Sequence, residues 1–422
     1  MKKLFLMPVV VVLLSVLILG GSLELSAAEK MIKIGVQADA SGPCASCGSK
    51  QLQGFTDYVK YQNEVLGGIK GIPVKAYADD MKYKIPLAMD IYERQKSEGV
   101  LMHSIACSGA QIACMPRYDK DKIASISFNF GLEQICPPRR VFWPNCGYGD
   151  SVGGFVDWAL EKWTKDRPMK VAFIFPDNSY GWATLQIMPY LEHRGVQVVA
   201  KEIVPWKAAT TITPLTRIKA KDPDYIFPCY PIGNAMAIIL KDAATLGIPA
   251  SKFVGMIYTL HGPGVKMAGP AAEGACGVSY HKMPGDYNEV PGVKMMVDWY
   301  KKVHGTSLSG MEASYVSGWI IGMMDCKVIE KTLDKVAYKD LNGEAIMKHG
   351  FPQMKNIDSG GLYAPITWDP DGGSVGRIGS RQVCVQQVIN GEMKTVTDWL
   401  KTPIMLEDSF ITIDGKTVKI KK

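Results

Sequence analysis

The fold class is decided by the stretch Ile32-Lys-Ile-Gly-Val-Gln-Ala-Asp-Ala-Ser-Gly-Pro-Cys44, which continues through Gly48 to Leu66-Gly-Gly-Ile-Lys-Gly71. The short apolar run predicts a buried strand, the Ser-Gly-Pro segment a turn, and the following residues an amphipathic helix that the paired glycines end. A helix that follows a strand so closely presents its N-terminus at the strand end, where a small anion can bind. The stretch therefore predicts an α/β protein with a small-ligand site at this edge.

The residues before this stretch have the pattern of an export signal. Lys2 and Lys3 precede the almost wholly apolar residues 4–19, and Ser26-Ala-Ala28 supplies small residues at a cleavage position. The pattern predicts a signal peptide over residues 1–28 that is removed, leaving Glu29 as the first residue. An uncleaved membrane anchor is the alternative, but the apolar run is short for a membrane span.

Length and composition limit the class further. A chain of 422 residues exceeds what one core usually supports, so two domains are expected. The net charge is +7, but the lysines and arginines are scattered, which predicts no nucleic-acid partner. No nucleophile elbow and no paired carboxylate–histidine spacing occurs, so we expect neither an enzyme nor a cofactor or resident metal ion.

Strands and helices alternate along the chain in two similar series. The first series has predicted strands at residues 32–36, 72–76, 100–105 and 123–128, and its helices include residues 49–66 and 108–118. After Gly147-Tyr-Gly149 the second series has strands at 171–175, 196–202, 225–227 and 253–257, with helices at 182–194, 212–220 and 234–246. This order predicts two α/β lobes with parallel sheets, whose loops at the strand carboxyl ends form the binding edge.

Three of these strand ends carry polar residues. Cys107-Ser-Gly-Ala110 opens a predicted helix, so Ser108 and nearby backbone N–H groups could hold a carboxylate, although Ser108 could equally be a plain N-cap. Ser127-Phe-Asn-Phe130 follows the next strand, where Ser127 and Asn129 are either site residues or turn formers. Asp177-Asn-Ser-Tyr-Gly181 has the equivalent position in the second lobe, and there Tyr180 could cover a ligand or pack on its own helix.

Taken together, the chain resembles the type I periplasmic solute-binding proteins of the branched-chain amino-acid (leucine/isoleucine/valine-binding) class, which serve ABC importers. The matching segments lie in the same order along the chain: Ile34-Gly-Val36 with Ser41-Gly-Pro43, Leu66-Gly-Gly-Ile-Lys-Gly71, Asp79-Asp80, Asp177-Asn-Ser-Tyr-Gly181, Ala271-Ala-Glu-Gly274 and Pro365-Ile-Thr-Trp368.

The resemblance implies two Rossmann-like lobes, joined by three hinge crossings, that close on a ligand between them. We expect the crossings near residues 147–149, 277–280 and 378–381. The N-terminal lobe would then comprise residues 29–148 and 281–380, and the C-terminal lobe residues 149–280 and 381–422. The resemblance also implies a monomeric protein of the periplasm that delivers a small molecule to the membrane permease of an ABC importer.

The resemblance places the ligand site at particular positions of this chain. Cys47 stands where amino-acid binders usually carry a large side chain, Ser108 and Gly109 occupy the carboxylate site, and Asn129 with Phe130 occupy the strand end that usually holds an ammonium group. Tyr180 matches the family's tyrosine, and Tyr230 fills the aromatic position after the third strand of the second lobe.

The fourth strand end of the second lobe departs from the family pattern. Amino-acid binders usually carry an acidic residue there that pairs with the ligand ammonium, whereas this chain has Tyr258 and Thr259 with no Asp or Glu nearby. Burying an unpaired ammonium is costly. The expected ligand is therefore a small carboxylate, either a branched-chain amino acid or an aromatic or aliphatic acid.

The ten cysteines need a separate explanation. In an exported protein disulfides are the default, and Cys136 and Cys146 flank a proline-rich segment that can bend back, so we predict a bond between them. Cys44-Ala-Ser-Cys47 lies between a strand and a helix, which allows a local disulfide, free thiols, a thiol-redox site or a metal site. An exported thiol-redox or metal-binding protein that uses this motif is the alternative function.

Overall fold

The computed structural model describes residues 30–230, 233–310, 312–407, 410–413 and 416–419. The predicted signal peptide lies outside these residues. Within them, no helix combines the length and the apolar character needed to cross a membrane.

The first part of the chain builds one α/β lobe. Its elements are β1 (Ile32–Ala38), α1 (Ala45–Glu64), β2 (Val74–Asp80), α2 (Ile85–Ser97), β3 (Met102–Ile105), α3 (Ser108–Asp121), β4 (Ser125–Ile126) and β5 (Val141–Phe142). β1 pairs in parallel with β2 and β3, and a bridge between Met102 and Ala124 continues the sheet to β4 and β5.

The middle of the chain builds the second lobe. Its elements are α4 (Tyr148–Glu161), β6 (Lys170–Phe175), α5 (Ser179–Thr184), α6 (Met188–His193), β7 (Gln197–Ile203), α7 (Ile212–Lys219), β8 (Tyr225–Pro228), α8 (Gly233–Thr245), β9 (Val254–Gly255), α9 (Gly262–Ala268) and β10 (Cys276–Ser279). β6 lies between β7 and β8 in a parallel arrangement, and a bridge between Ile226 and Phe253 leads on to β9 and β10.

The last part of the chain contributes to both lobes. Its elements are α10 (Pro291–His304), α11 (Ala313–Leu333), α12 (Gly343–Ala345), β11 (Gln382–Ile389), β12 (Glu392–Thr395), β13 (Leu400–Lys401), β14 (Ile404–Glu407), β15 (Phe410–Ile413) and β16 (Lys416–Lys419). α11 packs along α1 in the first lobe, while β11 pairs antiparallel with β10 in the second. The chain thus passes to the second lobe after β5, returns after β10, and passes again before β11.

The α/β class with two parallel-sheet lobes is therefore confirmed. β1 is buried on both faces, as expected of a central strand whose sheet carries helices on both sides. α11 is buried almost all the way round, which explains why its sequence is apolar on every face.

Three predicted boundaries were wrong for identifiable reasons. α1 begins at Ala45, earlier than residue 49, because the Asp39 carboxylate accepts hydrogen bonds from the N–H groups of Gly42 (2.5 Å) and Cys44 (2.7 Å) and closes the turn there. The helix predicted at residues 182–194 is divided into α5, a 3-10 turn and α6, with a proline, which lacks an N–H donor, in the first turn of α6. The strand predicted at 253–257 stops at Gly255, since the Thr259 N–H turns back to the Met256 carbonyl at 2.8 Å.

Candidate functional site

The carboxyl ends of β1, β3 and β4 face the second lobe across a narrow cavity, here called the cleft cavity, of ≈ 30 Å³. One water molecule needs roughly 10–15 Å³, so the structure is a closed form in which side chains fill most of the cleft. The residues that line it are Asp39, Cys44, Cys47, Gly48, Gln51, Tyr83, Ala106, Cys107, Ser108, Phe128, Asn129, Tyr148, Tyr180 and Tyr258. A larger groove of ≈ 580 Å³ lies beside Ser380 and Arg381, at the third crossing and away from these strand ends.

Hydrogen bonds hold the two lobes together around the cleft cavity. The Tyr258 hydroxyl, from the second lobe, donates to the Phe128 carbonyl of the first lobe at 3.2 Å. The Leu132 N–H donates to the Gln186 side-chain oxygen at 3.1 Å, and the Gln186 amide donates to Glu133 at 3.2 Å. These three hydrogen bonds all join a residue of the first lobe to a residue of the second.

The N-terminus of α3 is one anion-binding feature of the cavity. Cys107 is the N-cap residue with extended backbone (φ −162°, ψ 119°), and its side chain makes no capping hydrogen bond. Its sulfur lies near the Gly109 and Ala110 N–H groups, which favour the thiolate, but burial has the larger effect and raises the pKa of this thiol. Because the first turn of a helix has N–H groups without intrahelical partners, this end can receive a carboxylate beside the Ser108 hydroxyl.

Asn129 and Ser127 have different roles at the end of β4. The Asn129 amide donates to the Ile105 carbonyl at 2.7 Å, and its oxygen lies 3.4 Å from the Ser108 hydroxyl, so Asn129 joins Ser108 on the cavity wall. The Ser127 hydroxyl accepts from the Asn129 N–H at 2.9 Å and donates to Gln134 at 3.0 Å. Ser127 therefore supports the turn from outside the lining.

The tyrosines of the second lobe also differ in whether they line the cavity or pack into the core. Tyr180 lies in the lining with its hydroxyl buried beside the Thr259 side chain, and its ring lies edge-on to Tyr148 with centroids 4.6 Å apart. Tyr230 instead points into the second-lobe core, where its hydroxyl donates to the Val204 carbonyl at 2.9 Å. Thr259 accepts from the Tyr230 N–H at 3.0 Å and so fixes that loop.

Five of the ten residues predicted for the ligand site thus line the cavity, namely Cys47, Ser108, Asn129, Tyr180 and Tyr258. The other five, Gly109, Ser127, Phe130, Tyr230 and Thr259, lie beside or behind the lining. Phe130, for example, packs behind the cavity, edge-on to Trp143, Tyr148 and Tyr280.

The sequence reasoning missed several lining residues, among them Asp39, Tyr83 and Tyr148. Asp39 follows β1 directly and Tyr83 comes shortly after β2, so the rule that sites collect at strand carboxyl ends could have found both. Tyr148 opens α4 immediately after the first crossing. Its N–H donates to the Phe130 carbonyl at 3.1 Å, and this contact with the loop after β4 carries no local sequence signal.

The cysteines form no disulfide bond within the described residues. The bond expected between Cys136 and Cys146 is therefore not present in the structure. Burial raises the pKa of the Cys47 thiol to about 12 and that of Cys44 further still. A redox-active thiol needs a depressed pKa, so this geometry does not favour the alternative function for Cys44-x-x-Cys47. The described residues also contain no group of three or more His, Cys, Asp or Glu placed to hold a metal ion.

Two α/β lobes joined by three crossings, with a cavity between their strand ends, define a two-lobed binding protein. The chain belongs to the periplasmic binding protein family, which matches residues 31–392. No curated protein matches the sequence.

Solved structures are similar over nearly the whole chain. A branched-chain amino acid ABC transporter protein from Thermus thermophilus with bound valine is 19% identical, with a TM-score of 0.77 and coverage of 88% of this chain and 97% of that one. A solute-binding protein of an ABC transporter from Rhodopseudomonas palustris HaA2 with p-hydroxybenzoic acid is 18% identical (TM-score 0.72, coverage 90% and 98%). A fatty acid ABC transporter substrate-binding protein from Thermomonospora curvata is also 18% identical (TM-score 0.75, coverage 88% and 92%). At these identities the likeness establishes the fold alone.

Proposed function

We propose that this chain is the exported binding component of an ABC importer, which captures a small organic carboxylate in the cleft and delivers it to a membrane permease from the periplasm. The observation that carries the proposal is the N-terminus of α3, which has no side-chain cap and opens beside Ser108 into a cavity between the lobes. The predicted export signal and membership in the periplasmic binding protein family support the location.

Hinge closure is the proposed mechanism of capture. In the open form the α3 N-terminus and the Tyr258 hydroxyl would lie on opposite walls of the cleft. Closure brings the Tyr258 hydroxyl against the first lobe at Phe128 and removes water from the ligand. The removal of water strengthens the interaction between a carboxylate and the α3 N–H groups, because that interaction then acts in a lower dielectric medium.

The charges of the lining favour an acid without an α-ammonium group. Asp39 is the one acidic residue of the lining, and its two oxygens already accept the Gly42 and Cys44 N–H groups. Asp39 is therefore a weaker partner for a ligand ammonium than a carboxylate without such hydrogen bonds, and an incompletely paired buried ammonium is costly. The aromatic rings of Tyr83, Phe128 and Tyr180 instead suit an aromatic or other apolar body.

A thermal-unfolding screen tests the proposal. The panel contains benzoate, 4-hydroxybenzoate, hexanoate, valine and leucine, with benzamide as the neutral match to benzoate. We expect at least one simple acid to raise the unfolding temperature, since a ligand at 100 times its Kd stabilises the folded state by roughly 2.7 kcal/mol. Benzamide should give no shift.

Two outcomes would contradict this proposal in different ways. Stabilisation by valine or leucine, but by none of the simple acids, would indicate that the ligand is an amino acid. Shifts in unfolding temperature that appear only in the absence of a thiol reductant would indicate thiol chemistry at Cys44 and Cys47. We expect the shifts to be the same with and without reductant.

A further inference from the structure

The loop between β2 and α2 holds one side chain in an unusual position. Lys82 and Tyr83 have consecutive positive φ values of 51° and 54°. Residues with bulky side chains rarely adopt this left-handed conformation, and they keep it only where the surrounding structure enforces it.

Contacts on the first lobe fix the backbone of this loop. The Asp80 carboxylate accepts the Lys82 N–H at 2.9 Å and the Ala40 N–H at 2.8 Å, and the Lys84 N–H returns to the Met81 carbonyl at 2.9 Å. The loop therefore points Tyr83 toward the cleft cavity, where its hydroxyl faces the Cys107 thiol.

The second lobe supplies the remaining contact. Trp206 lies in the loop after β7, and its ring centroid is 5.0 Å from that of Tyr83, with the two planes inclined at 60°. Tyr83 packs against the apolar cores on both sides of the cleft. The indole N–H of Trp206 is buried and has no hydrogen-bond partner among the described residues, so packing alone explains the position of this ring.

We infer that the contact between Tyr83 and Trp206 holds the two lobes together over the cleft cavity, and that Trp206 positions the Tyr83 ring there. The inference rests on the proposed function, because it needs a cleft that opens and closes. The contact between the two rings exists only in the closed form, so it shifts the open–closed equilibrium toward closure.

The cysteines of the cleft report opening without any ligand. Cys47 and Cys107 are each 5% exposed, whereas Cys326 in α11 is 1% exposed and lies outside the cleft lining. Iodoacetamide should modify Cys47 and Cys107 only when the lobes separate and water reaches the thiols. Cys326 reports unfolding of the first lobe itself.

The experiment measures iodoacetamide modification of these three cysteines by peptide mass spectrometry, in the purified protein without added ligand. We expect Tyr83→Ala and Trp206→Ala each to raise the modification rate of Cys47 about tenfold, with the rate at Cys326 unchanged. The double variant should react no faster than either single variant, because both substitutions remove the same contact. Tyr83→Phe, which keeps the ring, should stay within about twofold of the unsubstituted protein.

Trp182→Ala is the matched control. Trp182 is also an indole of the second lobe, is 48% exposed, and its ring centroid lies 5.1 Å from that of Phe175 in the same lobe. This variant should leave the Cys47 rate unchanged. Equal modification rates of Cys47 in Trp206→Ala and in the unsubstituted protein would overturn the inference. It would also be overturned if Tyr83→Ala raised the modification rate of Cys107 alone, because that result would indicate local disorder of the loop. Since no ligand is used, a failed ligand screen would leave this result intact.

Discussion

Asp39 shows how a single carboxylate can decide both a helix start and the character of a binding site. It is 1% exposed, and its oxygens are occupied by two N–H groups of the turn that precedes α1. The turn places Cys44 and Cys47 on the cavity wall and uses part of the hydrogen-bonding capacity of the Asp39 carboxylate. The same residue therefore shapes the site and limits the ligands that it can take.

Ser108 is the residue on which the proposed carboxylate site can be tested directly. Replacing it with alanine removes a hydroxyl donor beside the α3 N-terminus. The binding free energy of the acid identified in the screen should therefore become less favourable by about 1–3 kcal/mol. Isothermal titration calorimetry measures the change. Ser97→Ala is the matched control, since Ser97 is exposed and donates only to the Arg94 carbonyl of its own helix. Unchanged affinity in Ser108→Ala would remove Ser108 from the site.

At the scale of secondary-structure elements, the first lobe depends on the close approach of α1 and α11. Glycines at the crossing make this approach possible, because a Cβ at Gly318 would lie 2.0 Å from the Gln51 carbonyl oxygen, and one at Gly54 would lie 2.1 Å from that of Tyr315. The first turn of α1 carries Cys47, whose sulfur accepts a hydrogen bond from Ser314 of α11 at 3.1 Å. The packing of these two helices thus fixes one wall of the cleft.

Gly318→Ala should therefore destabilise the protein. The added methyl group meets backbone atoms that cannot rotate away, and such overpacking typically costs about 1–3 kcal/mol. The urea unfolding midpoint measures the loss. Gly310→Ala is the control, because its Cβ would lie no closer than 3.5 Å to any neighbour, an ordinary contact distance. Equal midpoints for the two variants would show that α1 and α11 can separate freely.

At the scale of the whole molecule, Asp150 connects segments that are far apart in the sequence. Its oxygens accept the Gly147 N–H at 2.9 Å, beside the first crossing, and the Met405 N–H at 2.8 Å, in β14. Arg381, beside the third crossing, is the nearby cation. Burial raises the pKa of Asp150 to about 7, against the opposing effect of these hydrogen bonds and of Arg381.

This raised pKa predicts a pH dependence of stability with a definite sign. An aspartate in the unfolded chain has a pKa of about 3.9, so the stabilisation from protonated Asp150 is complete below that value and is lost as the pH rises toward 7. In the Asp150→Asn variant, residue 150 cannot ionise. The unfolding free energy of this variant minus that of the unsubstituted protein should therefore be about 2–3 kcal/mol larger at pH 8 than at pH 5.

Urea unfolding at the two pH values measures this difference, and Asp224→Asn is the control. Asp224 is paired with Arg167 through two contacts of 2.7 Å, and the hydrogen bonds from its cationic partners lower its pKa despite the opposing effect of burial. Its stabilisation is therefore present above the unfolded pKa and is lost only as the pH falls below it. The change in unfolding free energy caused by Asp224→Asn should be the same at pH 5 and pH 8. The prediction would be contradicted if the change caused by Asp150→Asn were also the same at the two pH values.

The sequence by itself determined the fold class, the two lobes and five of the fourteen residues that line the cavity. Strand ends followed by polar residues are local patterns, and the rule that parallel sheets bind ligands at their carboxyl ends placed Ser108, Asn129 and Tyr180 on the cavity wall. The absence, near Tyr258, of the acidic residue that amino-acid binders usually carry is also evident from the sequence. These features depend on short-range periodicity and on residue type, which the sequence carries.

The tertiary structure alone decided which neighbouring residues face the cavity and which face the core. Tyr230 and Tyr258 follow successive strands, yet Tyr230 turns to Val204 while Tyr258 crosses to the first lobe. The pairing of Tyr83 with Trp206 depends on a contact between the lobes, and the hydrogen bond from Met405 to Asp150 joins residues far apart in the sequence. Such contacts depend on how the lobes close, and residues far apart in the chain carry no shared local signal of that geometry.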